Sequence, residues 1–214
     1  MVYEYGPPSR SLEEVLAVVE DWLTRRYCLE YIPLHRRSAR RSRRLRRIRA
    51  WSIATARMRD EFEVVRYETL PSIEHDTGYV FRSPATLAWI LVNPSVGRIF
   101  SDILAGFDED VLPVRANDLA RLANVSTDMQ ALALIGDVTL RLKVLPARKV
   151  RSEELAALCD RWSLYENLIG GGNHRRPTVE TLEREKAALA LAVLGLIYTE
   201  GGDDALRAVA SLLA

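Results

Sequence analysis

Apolar residues recur at three- and four-residue spacing along most of the chain, which predicts a mainly helical protein. Ser11-Leu-Glu-Glu14 has the form of a capping box and should open a helix that ends near Glu30. A second helix is predicted over about 36–61 with a thin apolar stripe. That stripe consists of Leu45, Ile48, Trp51 and Met58.

The middle of the chain has a more varied pattern. Alternating residues in 63–69 and 78–82, on either side of a polar turn, predict a loose β-hairpin. Short helices are expected over 85–92 and 96–105. The acidic, turn-rich stretch 106–113 predicts a domain boundary. We therefore expect an N-terminal α or α+β extension, residues 1–110, before a C-terminal domain.

The C-terminal half is predicted to be almost entirely helical. A long helix is expected over 127–145, where apolar residues surround most of the circumference. Ser152-Glu-Glu-Leu155 is predicted to open another helix with a capping box, and this helix should reach Arg161. The final helices are expected over 178–199 and 203–214, separated by Gly201-Gly202.

The amino-acid composition limits the classes of protein to which the chain can belong. Of 214 residues, 48% are hydrophobic and 28% are charged, which is typical of a globular chain. The longest apolar run, 187–198, is shorter than the roughly 18 residues that a spanning helix needs, so no membrane partner is expected. Cys28 and Cys159 form no disulfide framework. A reducing compartment, the cytoplasm, is therefore expected.

Arginine is distributed unevenly along the chain. The net charge is only +1, yet nine arginines and no acid lie between Arg36 and Arg49. They are Arg36, Arg37, Arg40, Arg41, Arg43, Arg44, Arg46, Arg47 and Arg49. Like charges this close repel, so the run must be solvated, paired with acids elsewhere, or bound to a polyanion. Contact with nucleic acid is the reading that we favour.

Three C-terminal segments stand in the order of a known family's helices. The first is Ala131-Leu-Ala-Leu-Ile-Gly-Asp137-Val-Thr-Leu, and the second extends from Arg151 to Ile169. The third is Leu191-Ala-Val-Leu-Gly195-Leu-Ile-Tyr198-Thr-Glu-Gly201-Gly202. Residues 113–214 thereby resemble the ribonuclease III domain, most closely its mini-ribonuclease III branch. The resemblance implies an all-α helical domain.

The same resemblance implies an enzyme that cleaves double-stranded RNA with Mg²⁺. Carboxylates on both long helices would hold this metal ion. Asp137 occupies one of these acidic positions, but Leu191 and Ala188 occupy the two expected on the second helix. An aliphatic side chain cannot ligate a metal. We therefore expect a lost nuclease centre with no metal or cofactor, in which the remnant Asp137 pairs with Arg141.

The function expected from these observations is binding of structured RNA by a degenerate ribonuclease III-like protein. Family members that lost the acids act in ribosomes or RNA-processing complexes, and no DNA partner is implied. One alternative is an active, divergent nuclease that uses Mg²⁺ with relocated carboxylates. Another is a protein-interaction scaffold whose arginines pair with acidic surfaces.

A glycine-rich loop and an apolar helix bear on phosphate binding and on assembly. The loop over 170–177 could hold phosphate with its backbone and with Arg175 and Arg176, or it could be a plain connector. The apolar helix over 127–145 has few neighbours in a small domain, and the resembling family pairs through it. We therefore expect a homodimer centred on this helix, unless the N-terminal extension covers its free face.

Overall fold

The computed structural model describes residues 10–31, 39–82, 84–144, 150–171 and 178–213, and this part of the chain is mainly helical, as predicted. The helices in chain order are α1 (Leu12–Tyr31), α2 (Ala39–Val64), α3 (Leu70–Thr77), α4 (Pro84–Ile90), α5 (Gly97–Gly106), α6 (Ala116–Ala123), α7 (Val125–Thr139), α8 (Ser152–Arg161) and α9 (Val179–Ala210). Short π-helical segments, Val65–Thr69 and Leu140–Val144, extend α2 and α7. Within α9 the backbone of Gly202 is non-helical, close to the predicted break.

The first two helices form an antiparallel pair. The Ser11 capping box is present, because Ser11 N–H donates to Glu14 and Glu14 N–H donates to the Ser11 hydroxyl. The buried face of α1 consists of Leu12, Val15, Leu16, Val19 and Leu23. The predicted stripe of α2 is buried as well, and Thr55 and Phe62 extend it. Each helix therefore buries one narrow face and leaves the opposite side to charged residues.

Helix α9 is the central element of the C-terminal half. Its middle turns are buried on almost every side, from Ala187 through Ile197, by α7, α8 and α4. A helix that is apolar all round needs such a surrounding. Helix α7 packs one face on α9, and its opposite face is exposed although it carries the apolar residues Leu134 and Val138.

The predicted β-hairpin is wrong. Residues 63–77 are helical, and they end at Gly78, whose φ of 66° closes the helix. The buried residues Val65, Leu70, Ile73 and Thr77 recur at roughly helical spacing, and burial of that face outweighs the alternation of the seven residues 63–69. In the segment that follows, Phe81 N–H donates to Glu74 Oε1 at 2.9 Å.

One hydrophobic core continues across the predicted boundary at 106–113. It contains buried residues of every helix from α1 to α9, and α5 packs directly on α6. A short parallel bridge joins Val92 to Ile169, with the Ile169 N–H 2.9 Å from the carbonyl oxygen of Leu91. The two halves are therefore packed together in the described part of the chain.

No helix in the described ranges is long and apolar enough to cross a membrane.

Candidate nucleic-acid interface

The described part of the arginine-rich stretch, from Ala39 onward, forms the first turns of α2. Arg36 and Arg37 lie outside the described residues, and Arg40 and Arg41 belong to the helix although only their backbone is described. The remaining five side chains, those of Arg43, Arg44, Arg46, Arg47 and Arg49, are described. They divide into two sets with different surroundings.

Arg44 and Arg47 are bound to neighbouring elements. Arg44 contacts Glu30 of α1 at 3.4 Å, and Arg47 contacts Asp102 of α5 at 3.2 Å. Each guanidinium also lies near an aromatic ring, Arg44 5.1 Å from the centroid of Phe107 and Arg47 5.2 Å from that of Trp51. Acid and ring together fix these two side chains against the body of the protein.

Arg43 and Arg46 have a different environment. Both are exposed, and neither forms an ion pair with an acid in the described ranges of the chain. They lie three residues apart, so they are neighbours on one face of α2. Arg49 is also exposed and lies 6.0 Å from the ring centroid of Tyr27. Arg43 and Arg46 are therefore the charges that a polyanion could reach without breaking a contact.

Acids of α1 neutralise the rest of α2. Glu20 contacts Arg59 at 2.8 Å, and Glu13 contacts Arg66, in the π-helical segment after α2, at 3.3 Å. Pairing with acids, one of the three possibilities for the arginine run, is thus present at Arg44 and Arg47, and it continues beyond the run at Arg59. Positive charge without such pairing is confined to the N-terminal turns.

Helices α7 and α9 carry the positions at which the resemblance implied metal-binding carboxylates. Here Gly136 and Gly195 face each other across the contact. A Cβ added to Gly136 would lie 2.1 Å from the carbonyl oxygen of Leu191, and one added to Gly195 would lie 2.0 Å from that of Leu132. The two backbones are therefore in direct contact, which only residues without a Cβ permit.

Asp137 lies beside this crossing and is paired locally. Its carboxylate accepts a hydrogen bond from Arg141 Nε at 2.7 Å, and 30% of its side chain is exposed. The predicted pair with Arg141 is therefore present. Ala188 and Leu191, the counterparts on α9, are only partly buried but offer no ligand. No cluster of three or more possible metal ligands occurs among the residues that the structure describes.

Other candidates of the sequence have structural roles or lie outside the described ranges. Arg175, Arg176 and the remainder of the predicted phosphate loop after Gly171 lie outside them. Cys159 is buried, and burial raises the pKa of its thiol to about 12. Cys28, on α1, is exposed.

Contacts between the two halves were missed by sequence reasoning. Arg161 donates to Asp76 at 2.5 Å, and this hydrogen bond lowers the pKa of the Asp76 carboxyl. Gly170 N–H donates to Glu61 Oε2, also at 2.5 Å, and the Asn167 amide donates to the Thr69 hydroxyl. All join residues far apart in the chain, so no local pattern could have indicated them.

A polar cluster closes the far end of α7. Lys143 Nζ lies 2.7 Å from the Tyr198 hydroxyl and 3.0 Å from Asp203. The contact with Tyr198 is the main cause that raises the pKa of Lys143, and Asp203 adds to it. A charged lysine with an acid and a phenol is a cross-link between helices rather than a reactive centre, because the lysine is held protonated.

Comparisons with protein-family models, with curated proteins and with solved structures found no match for this chain.

Proposed function

We propose that this protein is a ribonuclease III-like helical protein that has lost its metal-binding carboxylates and binds structured RNA. The observation that supports it most directly is the exposed pair Arg43 and Arg46 on a helix whose other basic residues are largely engaged. Arginine guanidinium groups bind phosphate oxygens in bidentate geometry. The apolar residues at the α7–α9 crossing support the loss of catalysis, and the two free cysteines fit a reducing, cytoplasmic setting.

The RNA-binding proposal is tested by fluorescence anisotropy with a labelled RNA hairpin over a series of salt concentrations. Arg43→Gln with Arg46→Gln should weaken binding and flatten the log–log salt dependence, by about 0.7 to 0.9 per lost phosphate contact. The matched control is Arg25→Gln with Arg184→Gln, which removes the same charge from exposed residues that have an acid partner. Equal weakening in both double variants would show that α2 is not the contact.

The absence of nuclease activity is tested with double-stranded RNA in Mg²⁺ and in Mn²⁺. We expect no cleavage, because the α9 positions that should supply carboxylates are Leu191 and Ala188. Cleavage by the wild type that disappears in Asp137→Asn would contradict the proposal and support the divergent nuclease.

A scaffold role is the second candidate, and the pairing of Arg44 and Arg47 with internal acids favours it. On this reading the arginines stabilise the fold and bind acidic protein surfaces. Retention of the chain on heparin, without binding to RNA at physiological salt, is the result that would support the scaffold.

We also propose that two copies associate through the outer face of α7. Leu134 and Leu142 are 64% and 72% exposed, and Val138 between them is exposed as well. The described part of the N-terminal half leaves this stripe uncovered. Sedimentation should show a dimer that Leu134→Gln with Leu142→Gln converts to a folded monomer, whereas Leu29→Gln, at 67% exposure on α1, leaves it dimeric. A monomeric wild type would contradict this proposal.

A further inference from the structure

The acidic segment after α5 lies next to the basic face of α2. Phe107 directly follows the last residue of α5. Its ring is in contact with two guanidinium groups, because Arg44 lies 5.1 Å and Arg26 5.8 Å from the ring centroid. Trp22 and Trp51 meet the same ring edge-on, at centroid distances of 4.7 and 6.5 Å. The start of this segment is thus fixed against α1 and α2.

Three acids follow Phe107 directly: Asp108, Glu109 and Asp110. All three are exposed, and the Asp108 side chain does not cap the short turn that it precedes. The Cα atoms of Phe107 and Asp110 are at most about 11 Å apart, so the acids lie on the backbone segment that the ring holds beside Arg44. Charges act on each other over about 8 to 10 Å at physiological salt, and Asp108, next to Phe107, is the acid nearest to the ring in the chain.

A fourth acid, which lies within α5, makes direct contact with α2. Asp102 of α5 pairs with Arg47 at 3.2 Å. Helix α5 and the turn after it therefore place negative charge beside α2 in two ways. Asp102 forms an ion pair with α2, and the packed ring of Phe107 holds the following acids nearby.

We infer that this acidic segment acts as an internal competitor of the polyanion and lowers the affinity of the arginine face. The inference rests on the proposed RNA-binding role of α2 and adds regulation to that site. Asp102 already pairs with Arg47, so a phosphate would have to displace it. Asp108 and Asp110 reduce the positive potential that an approaching phosphate meets. An acidic neighbour of this kind disfavours weak, non-specific contacts most, because those depend on charge alone.

The test compares two double variants that change the net charge equally. Asp108→Asn with Asp110→Asn removes the competitor and leaves Phe107 in place. Glu180→Gln with Asp204→Asn removes two acids of α9 that are 77% and 97% exposed and pair with Arg184 and Arg207. Binding is measured by heparin elution and by anisotropy with the RNA hairpin. A third variant, Asp102→Asn, releases Arg47.

We expect Asp108→Asn with Asp110→Asn to bind RNA about threefold or more tightly than the control at low salt, with the difference vanishing as salt rises toward about 1 M. It should also elute later from heparin, and Asp102→Asn should change binding in the same direction. Equal elution and equal affinity of the two double variants would overturn the inference. If Asp108→Asn with Asp110→Asn elutes later from heparin than the control but neither the wild type nor any variant binds RNA, the inference about the acidic segment is supported and the proposed RNA-binding function is contradicted.

Discussion

In the α1–α2 pair the helices meet through long side chains, whereas in the α7–α9 pair they meet through their backbones. The first contact has a buried apolar seam edged by ion pairs such as that between Glu20 and Arg59. The second has Gly136 against Gly195. A contact edged by charges can exchange partners with solvent or with a ligand, while a backbone contact excludes any added atom. Binding is therefore expected at the first pair and rigidity at the second.

The largest effect is expected from adding a single methyl group at the second contact. Gly136→Ala would place a Cβ 2.1 Å from a backbone oxygen of α9, so the helices must separate. We expect a loss of about 3 kcal/mol or more in the free energy of unfolding, measured by urea denaturation. Gly106→Ala is the control, since its Cβ would meet only the Trp51 side chain at 3.9 Å. Equal midpoints for the two variants would refute the backbone contact.

A smaller effect is expected at the aromatic cluster between α1, α2 and α5. Phe107→Ala removes a partly buried ring and its contacts with two guanidinium groups and two tryptophans. We expect a loss of about 2 kcal/mol in unfolding free energy, below the range for a fully buried phenylalanine. Val111→Ala, further along the same segment, should change it by less than about 0.5 kcal/mol. A neutral Phe107→Ala would show that the ring does not anchor the segment.

The junction between the two regions should make stability depend on pH. The Arg161 hydrogen bond lowers the pKa of Asp76 in the folded chain, so the pair stabilises the fold at pH values above the ordinary carboxyl pKa near 3.9. That contribution, about 1 kcal/mol for a partly exposed pair, is lost as the pH falls through the lowered folded value. Asp76→Asn should therefore be less stable than wild type at pH 7 and equal to it in strong acid. A pH-independent difference would argue against this assignment.

The smallest effect separates the two sets of arginines on α2. Arg44→Gln with Arg47→Gln should cost about 1 kcal/mol in unfolding free energy, because both an acid and a ring lose their partner. Arg43→Gln with Arg46→Gln should be neutral within about 0.5 kcal/mol, because neither side chain has an acid partner in the described ranges. Thermal melts of the two proteins at low salt make the comparison. A destabilised Arg43/Arg46 variant would mean that these residues have a structural role.

The helices were predictable because burial repeats along them. The capping box at Ser11, the buried stripe of α2 and the span of α8 all follow from local spacing. The hairpin prediction failed because a seven-residue stretch such as 63–69 fits two periods equally well. Only the packing of Val65 and Ile73 into the core distinguishes them.

The candidate site was predictable in its residue types but not in its pairing. The run of arginines is visible in the sequence. Which arginine finds an acid depends on where α1 and α5 lie. Arg43 and Arg44 are adjacent in sequence, yet only Arg44 reaches Glu30. Tertiary geometry, rather than any local pattern, thus selects the residues that remain accessible.

The short bridge between Val92 and Ile169 has a consequence for how the chain folds. It pairs two segments that are distant in sequence, and the Leu91 carbonyl accepts from Ile169 N–H inside the core. Such a pairing forms only after a long loop closes, which slows folding and makes both halves fold together. The amide of Ile169 should therefore exchange with deuterium only when the whole molecule opens, whereas the exposed first turns of α2 exchange through local fraying.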